Sequence, residues 1–298
     1  MKKVEFGKTG YKISPIVFAG IVSMSENQAD SDNYVAKAID FGINYFDVAP
    51  SYLDAEVIMG NSLRPYRKDV YLACKSTERR AADAEKNFQA SLKRLHTDYF
   101  DVYQIHSLSS PEDVEVAFGP GGIMDMILKY HKEGLIRKIG FSAHSEKAAL
   151  EALKRYDFDS VMFPLNWLLN MEQGIGSELV KVKKEKGFGL LAIKSIVERG
   201  WHSDEERHAS PWPKSWCKPF DADDTAARAA GMRFAFNMGA DALIPPGNWE
   251  CQSSMQNLYE QVAARPYGAE DEKLLRSRLD ASRAYPFFTT EEGGWPAA

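Results

Sequence analysis

Four polar side chains near the ends of short apolar runs have the residue types and spacing of a catalytic group. They are Asp47, which ends the run 43–47; Tyr52, five residues further on; Lys75, which ends the run 70–75; and His106, which ends the run 100–106. Buried strands normally avoid ionisable groups. In a barrel of parallel strands the carboxyl ends meet at one face, where active sites form. The pattern therefore predicts that the four side chains share one site.

These residue types match the needs of carbonyl reduction. A tyrosine hydroxyl can protonate the developing alkoxide, although its reference pKa of about 10 makes it a reluctant acid. A neighbouring ammonium favours the phenolate and eases release of the proton. A carboxylate keeps that ammonium charged, and a histidine can donate to the carbonyl oxygen and orient the substrate. We predict Tyr52 as the proton donor, supported by Lys75, Asp47 and His106.

Apolar runs and amphipathic stretches alternate along nearly the whole chain. We predict strands over 15–19, 43–47, 70–75, 100–106, 137–142, 159–164, 189–194 and 241–245. Helices are predicted near 27–41, 54–64, 82–95, 121–133, 145–155, 174–186, 222–238 and 252–264. Such alternation favours a parallel sheet with crossover helices. The eight units indicate an α/β fold, a closed (β/α)8 TIM barrel. A doubly wound nucleotide-binding sheet is disfavoured, because no G-x-G-x-x-G follows a strand.

Additions to the barrel are expected at both ends and in one long connection. Residues 1–13 are predicted to form a short hairpin at the bottom of the barrel, with its turn at Gly7–Gly10. The connection after strand seven, residues 195–221, is long enough to indicate function or disorder. Residues 1–298 are predicted to form a single barrel domain with a C-terminal tail at about 285–298.

Composition limits the classes of protein and partner. The chain has 298 residues, of which 44% are hydrophobic and 27% charged, as in globular proteins. A net charge of −5 gives no reason to expect a nucleic acid or a membrane as partner. Three scattered cysteines indicate a reducing compartment, and neither a signal peptide nor a membrane span is evident. We expect a cytoplasmic protein; its oligomeric state is not readable from the sequence.

Several segments around the four residues resemble those of the aldo-keto reductase family. Residues 42–52 are similar to the family's first signature, with its Asp and Tyr five apart, and Lys75 and His106 occupy the other two catalytic positions. Residues 134–142 resemble its strand-five motif, and 244–247 its strand-eight motif. The resemblance runs from about residue 3 to 264. It implies a TIM barrel without a metal, a nicotinamide dinucleotide across the barrel top, and a small carbonyl substrate.

The resemblance also implies a set of cofactor-binding residues. They are Ser142, Asn166, Lys194, Gly247, Ser253, Gln256 and Asn257. Some positions depart from the family pattern: Ser142 is followed by Ala143 and His144 rather than asparagine, and Phe163 stands where glutamine is usual. Residues 242–264 also lack the Lys or Arg that commonly holds the 2′-phosphate. We expect NADP(H) as cofactor, with NAD(H) as the alternative.

Some of these residues also have purely structural interpretations. Ser142 could cap the next helix, His144 could stabilise its loop, and Lys194 could be a surface group with a buried stem. The long connection contains Trp201, Trp212, Trp216 and Phe220. These aromatic residues could close over a ligand or anchor the loop on the barrel. The segment 285–288 in the tail could likewise cover the pocket or strap it.

Three functions compete. The leading one is an NAD(P)H-dependent oxidoreductase that converts an aldehyde, ketone or sugar-like carbonyl to an alcohol. The second is a non-catalytic or weakly catalytic barrel that binds a nucleotide or another small ligand and acts as a sensor or accessory subunit. The altered cofactor positions favour it, and the intact four-residue group disfavours it. The third, a metal-dependent hydrolase or isomerase, would use His106, His144 and Asp47 as ligands. It lacks the His-x-His pair and clustered carboxylates of such sites.

Overall fold

A computed structural model describes residues 1–285 and contains an eight-stranded parallel sheet. We number its strands β1 (Phe18–Ala19), β2 (Tyr45–Asp47), β3 (Tyr71–Ser76), β4 (Phe100–Leu108), β5 (Ile136–Ala143), β6 (Ser160–Pro164), β7 (Gly189–Ile193) and β8 (Ala242–Ile244). Each strand pairs with the next in chain order. Apolar residues dominate all eight, because strands covered by helices on one side and packed inside a barrel on the other are buried on both faces.

The sheet closes on itself between β8 and the residues just before β1. Ile16 bridges Leu243 in parallel, the Val17 N–H donates to Leu243 O at 3.0 Å, and the Leu243 N–H donates to Pro15 O at 2.9 Å. Closure leaves no open sheet edge. The predicted (β/α)8 barrel is confirmed, and all carboxyl ends of β1–β8 point to one mouth.

Helices follow the strands and cover the barrel. They span Gln28–Asp40, Ala55–Leu63, Ala81–Arg94, Pro111–Phe118, Ile123–Lys132, Glu146–Arg155, Trp167–Gln173, Ser177–Lys186, Asp204–Ala209, Thr225–Asn237, Trp249–Ala263, Ala269–Arg276 and Leu279–Ser282. The helix predicted near 82–95 is present, and it buries the apolar side chains of Ala84, Phe88 and Leu92. Short helices that begin at Pro111, Trp167, Asp204, Ala269 and Leu279 were not predicted, because their apolar periodicity extends over only one or two turns.

A hairpin closes the bottom of the barrel, as predicted. Val4–Glu5 pairs antiparallel with Lys12–Ile13, and the turn between them has Gly10 in the left-handed conformation. Phe6 is fully buried against Gly189 at the start of β7, where an added Cβ would lie 2.4 Å from the Phe6 ring. Apolar side chains therefore fill the bottom of the barrel, and the polar strand-end residues lie at the opposite end, the mouth.

The long connection after β7 is folded onto the barrel. Val197–Arg199 pairs antiparallel with Lys218–Pro219, and the helix Asp204–Ala209 lies between them. The predicted long loop is present, but it contains regular structure along part of its length. Of the segment 285–288 that was predicted to cover or strap the pocket, only Tyr285 belongs to the described residues, and its carbonyl accepts the Gly200 N–H at 2.6 Å. None of the helices within residues 1–285 combines the length and apolar character needed to cross a membrane.

Candidate active site

The four predicted catalytic residues converge at the mouth of the barrel. Lys75 is fully buried at the end of β3, and its Nζ donates to Oδ2 of Asp47, which ends β2. The other oxygen of Asp47 accepts a hydrogen bond of 3.0 Å from Gln104 Nε2. A buried ion pair is tolerated only where its remaining hydrogen-bonding groups are also matched. Here each oxygen of the carboxylate has its own donor.

Tyr52 lies over this ion pair in the turn after β2. The Lys75 ammonium is 5.0 Å from the centroid of the Tyr52 ring, and 8% of Tyr52 is exposed. The His106 ring, at the end of β4, meets the Tyr52 ring edge-on at a centroid distance of 6.0 Å and an angle of 89°. Tyr52 and His106 can therefore approach the same substrate oxygen from two sides.

The charge states of this group follow from burial and from the ion pair. Burial opposes the charge on Lys75, but Asp47 and Tyr52 outweigh it and raise the pKa of the ammonium above its usual value. Burial raises the pKa of Tyr52 above 10, and Lys75 counteracts this in part. Burial, together with Lys75, holds the pKa of His106 well below 6.5. The site therefore contains a charged lysine, a protonated phenol and a neutral imidazole at neutral pH.

A cavity opens above these side chains, with about 720 Å³ of unoccupied space when the open solvent at its mouth is included. It is lined by Ala19, Gly20, Ile21, Asp47, Tyr52, His106, Ser142, His144, Met162, Ile193, Lys194, Val197, Ser215, Trp216, Cys217, Ile244, Pro245, Pro246 and Gly247. The lining includes residues at the ends of β1, β2 and β4–β8.

Three of the predicted cofactor residues line this cavity. Ser142 at the end of β5 also accepts a hydrogen bond of 2.7 Å from the Ser107 N–H through its Oγ. Lys194 follows β7 with a positive φ of 65° and is 8% exposed. Gly247 lies after β8, where an added Cβ would be 2.6 Å from the Lys214 carbonyl oxygen. These positions surround the cavity on the side away from β2 and β3.

Asn166 lies behind the cavity lining. Its Oδ1 accepts hydrogen bonds from the N–H groups of Leu168 and Leu169, at 2.9 and 3.2 Å, and so caps the helix Trp167–Gln173. Its Nδ2 donates to the carbonyls of Lys194 and Val197, at 2.8 and 2.9 Å. The side chain is fully buried and its amide is engaged with backbone, so Asn166 acts on the cavity by holding Lys194.

Ser253, Gln256 and Asn257 line a separate groove on the side of the barrel. It lies between the helices Gln28–Asp40 and Trp249–Ala263, and Lys37, Asp40, Phe41 and Trp249 complete its lining. Gln256 is 4% exposed, and its Nε2 has no hydrogen-bond partner within residues 1–285. Trp249 and Gly247 are two residues apart, so the end of β8 leads from the cavity to this groove.

The structure also shows site residues that the sequence analysis left open or missed. His144 lines the cavity, and burial, with Lys194 adding to it, holds its pKa well below 6.5. Trp216 lines the cavity with 46% of its surface exposed, and its ring lies 5.9 Å from that of Tyr52. Gln104 was missed, although its spacing of two from His106 in a strand indicates that both point into the barrel.

The other aromatic residues of the long connection hold it in place. The Trp201 Nε1–H donates to Ser215 O at 2.9 Å, and the Trp212 Nε1–H donates to Glu250 Oε2 at 2.5 Å. Phe220 stacks on Trp167 at a centroid distance of 5.7 Å. Trp201, Trp212 and Phe220 therefore anchor the loop, as one of the two interpretations expected, and Trp216 lies at the cavity.

Metal ligands are not grouped in the part of the chain that the structure describes. No three His, Cys, Asp or Glu residues within 1–285 lie together in positions that could hold a metal ion. Asp47, one of the ligands imagined for a metal site, is instead paired with Lys75 and bonded to Gln104. The geometry gives no support to the metal-dependent alternative.

A parallel barrel with Asp, Tyr, Lys and His at its mouth defines an oxidoreductase class, and comparison with known proteins identifies the family. A sequence profile of the Aldo/keto reductase family matches residues 19–270, and the chain belongs to this family. It is 26% identical over 306 residues to the uncharacterized oxidoreductase YqkF of Bacillus subtilis, covering 93% of this chain and 96% of YqkF.

Two further comparisons extend this result. The chain is 28% identical over 255 residues to L-galactose dehydrogenase of Arabidopsis thaliana, covering 73% of this chain and 76% of that protein. The holo form of aldo-keto reductase AKR11C1 from Bacillus halodurans superimposes with a TM-score of 0.69 at 20% identity, covering 98% of this chain and all of that one. The protein is therefore an oxidoreductase of the aldo-keto reductase type.

Proposed function

We propose that this protein is an NAD(P)H-dependent carbonyl reductase in which Tyr52 is the proton donor. The observation that carries the proposal is the convergence of four groups: Tyr52 stands over the buried Lys75–Asp47 ion pair and edge-on to His106. Tyr52, His106 and Asp47 line one cavity, and Lys75 lies buried behind them. A protein that only bound a nucleotide would have no physical need to bury a lysine–aspartate pair beneath a tyrosine.

Each side chain has a separate role in the proposed reaction. His106, neutral at physiological pH, donates an imidazole N–H to the carbonyl oxygen and orients it towards Tyr52. Tyr52 gives its phenolic proton to that oxygen as the carbonyl carbon receives a hydride, so the product is the alcohol. Lys75 stabilises the phenolate that remains on Tyr52, and Asp47 keeps Lys75 charged and in place.

The residues around the cavity fit a nicotinamide dinucleotide, which would supply the hydride. Gly247 lines the cavity, and without a side chain its backbone can lie close to a bound phosphate as well as to the Lys214 carbonyl, which an added Cβ would meet at 2.6 Å. Ser142, Lys194 and Gly247 would hold the nicotinamide half and the pyrophosphate. Asn166 would contribute by holding Lys194. In the side groove, the unpartnered Nε2 of Gln256 offers a buried donor for the adenine end, beside Ser253 and Asn257.

We propose NADP(H) as the cofactor, with NAD(H) as the alternative. Lys37 lines the same groove as Ser253, so a 2′-phosphate bound there would meet a positive charge from a helix distant in sequence. Asp40, in the same lining, would oppose it. Titration of the protein with NADPH and NADH in parallel, followed by nicotinamide fluorescence and thermal shift, measures the preference directly.

We propose an aldehyde, a ketone or a sugar-like compound as the substrate. The exposed indole face of Trp216 beside Tyr52 is suited to a flat apolar ring or to the C–H face of a sugar. The relation to a plant dehydrogenase named for L-galactose favours sugar-like compounds within this class. We place the protein in the cytoplasm, where reduced nicotinamide cofactors and free thiols occur together.

Tyr52→Phe tests the proposal because it removes only the phenolic oxygen. We expect carbonyl reduction to fall by at least about 100-fold while cofactor affinity and melting temperature stay close to those of the wild type. Tyr267→Phe, which removes a hydroxyl bonded to Glu272 far from the cavity, is the matched control. Full activity in Tyr52→Phe would show that Tyr52 is not the donor. Binding of cofactor without reduction of any carbonyl by the wild type would favour the sensor alternative.

A further inference from the structure

Arg79, in the connection after β3, is bonded through its whole guanidinium group. Its Nε and one terminal nitrogen form a bidentate pair with Asp113, at 2.5 and 2.8 Å. The same terminal nitrogen donates to the carbonyls of His106 and Ser107, at 2.8 and 3.0 Å. The other terminal nitrogen donates to Thr77 O at 2.8 Å. One side chain thus joins the end of β3, the end of β4 and the helix Pro111–Phe118.

The backbone that Arg79 holds is bent and strained. Ser107 has a φ of 59°, which is unusual for a residue other than glycine, and the pairing of β4 with β5 shifts register between Ile105 and Leu108. The Ser107 N–H, made available by this bend, donates to Oγ of Ser142 at 2.7 Å. The bend therefore sets the direction of His106 and is bonded to Ser142.

We propose that Arg79 and Asp113 are positioning residues that hold His106 and Ser142 in their working geometry. Arg79 is not part of the cavity lining, so it acts through the backbone of β4. Asp113 fixes the fork of Arg79 and also accepts the Ser109 N–H at 3.1 Å, which ties the residues after the bend to the same carboxylate. The inference rests on the proposed carbonyl reduction, because it assigns His106 and Ser142 to that site.

A second arginine, Arg67, also joins β3 to β4, and it provides a comparison because its bonds lie away from the site. Arg67 pairs with Asp101 at 3.0 Å and donates to the carbonyls of Val70 and Tyr99, at 3.2 and 2.9 Å. These carbonyls precede β3 and β4, so Arg67 joins the ends of the strands away from the cavity. Arg67 and Arg79 make similar bonds at opposite ends of the barrel, and only Arg79 is bonded to site residues.

The positive charge of Arg79 also affects the pKa of His106. The charged and titratable groups that act on His106 are Lys75, His144 and Arg79, and the neutral phenol of Tyr52 lies beside it. After burial, all three hold the pKa of His106 below its usual value. Loss of the Arg79 charge should therefore allow His106 to take up a proton at a higher pH. Because burial also lowers the pKa of His106, a loosened site would raise it as well, so Arg79→Lys, which keeps the charge, is needed to separate the two causes.

The test compares Arg79→Gln and Arg79→Lys with Arg67→Gln. For each variant we would measure kcat and KM for a carbonyl substrate at saturating cofactor, thermal unfolding, and the titration of His106 by NMR on histidine-labelled protein. We expect Arg79→Gln to lower kcat/KM by about 10- to 100-fold, the loss associated with a displacement of about 1 Å, and to raise the pH at which His106 titrates. Arg79→Lys keeps the charge without the fork and should fall between Arg79→Gln and the wild type.

The control separates positioning from stability. Arg67→Gln should lower the melting temperature while keeping kcat/KM within about twofold and leaving the His106 titration unchanged. Equal loss of activity in Arg67→Gln and Arg79→Gln, or an unchanged His106 titration in a folded Arg79→Gln protein, would overturn the proposal. The titration needs no turnover. If the wild type reduces no carbonyl, the proposed function fails, and the titration still decides whether Arg79 acts on His106.

Discussion

Gln104 donates a hydrogen bond of 3.0 Å from Nε2 to Oδ1 of Asp47, on the side of the carboxylate away from Lys75. Gln104 is fully buried in the barrel, two residues before His106, and its Oε1 has no hydrogen-bond partner within residues 1–285. Lys75 and Gln104 together engage both oxygens of Asp47. The amide therefore fixes the rotation of the carboxylate and favours its charged form.

Gln104→Leu should shift the activity of the site along the pH scale. Burial already raises the pKa of Asp47, and the bonds from Lys75 and Gln104 counteract it. Without the amide the carboxylate is less stabilised, so its pKa rises further, Asp47 takes up a proton at a higher pH, and Lys75 loses its partner there. We expect the acidic limb of the kcat/KM profile to move to higher pH, measured by carbonyl reduction across pH 4–9.

One control variant and one stability measurement make this result specific. Gln89→Leu removes a hydrogen bond of 3.1 Å to the Tyr130 hydroxyl outside the barrel and should leave the pH profile unchanged. Gln104→Leu should also destabilise the fold by about 1–3 kcal/mol, because Asp47 loses a buried partner. A folded Gln104→Leu protein with the wild-type pH profile would contradict the role assigned to Gln104.

The strand ends of the site were predictable because they depend on local pattern. Each strand is a short apolar run, and the alternation with helices fixes parallel pairing, so Asp47, Lys75 and His106 had to meet at one mouth. The hairpin over residues 1–13 was predictable for a similar reason, since Gly7 and Gly10 mark its turn. In both cases a few neighbouring residues determine the geometry.

The contacts between distant elements were not predictable in the same way. Asn166 has the residue type of a ligand contact, yet it caps a helix too short to show periodicity. Lys37 and Ser253 share a groove only because the first and last barrel helices become neighbours when the sheet closes. Arg79 reaches His106 through a bend in β4 that has no sequence signature. These contacts depend on how distant parts of the chain pack together, which a short sequence pattern does not determine.

Gly247→Ala should weaken cofactor binding because the backbone passes too close for a side chain. A Cβ there would lie 2.6 Å from the Lys214 carbonyl oxygen, so either the turn after β8 or the loop above it must move. We expect a destabilisation of about 1–3 kcal/mol and a cofactor affinity lowered by about tenfold, measured by urea unfolding and fluorescence titration. Gly268→Ala is the matched control, since no atom lies within 4 Å of its added Cβ. Equal cofactor affinities in the two variants would refute a cofactor path beside Gly247.

Trp216→Ala should affect substrate binding more than the chemical step. The indole lies 5.9 Å from the Tyr52 ring and lines the cavity, whereas Trp212 is 5% exposed and bonded to Glu250, so of these two tryptophans Trp216 is the one placed to meet a substrate. Removal of this face should raise KM for aromatic or sugar-like carbonyls by about 10-fold, as expected for the loss of 1–2 kcal/mol of contact, with kcat little changed. Steady-state kinetics with a ring-containing aldehyde and a short aliphatic aldehyde measure the effect.

Trp212→Phe provides the contrast within the same loop. It removes the hydrogen bond to Glu250 and should lower the melting temperature, and any effect on KM should be similar for both aldehydes because the loop as a whole loosens. In Trp216→Ala the increase in KM should be confined to the ring-containing aldehyde, because the short aldehyde is too small to cover the indole. If both variants raise KM equally for both aldehydes, Trp216 holds the loop in place and does not bind the substrate.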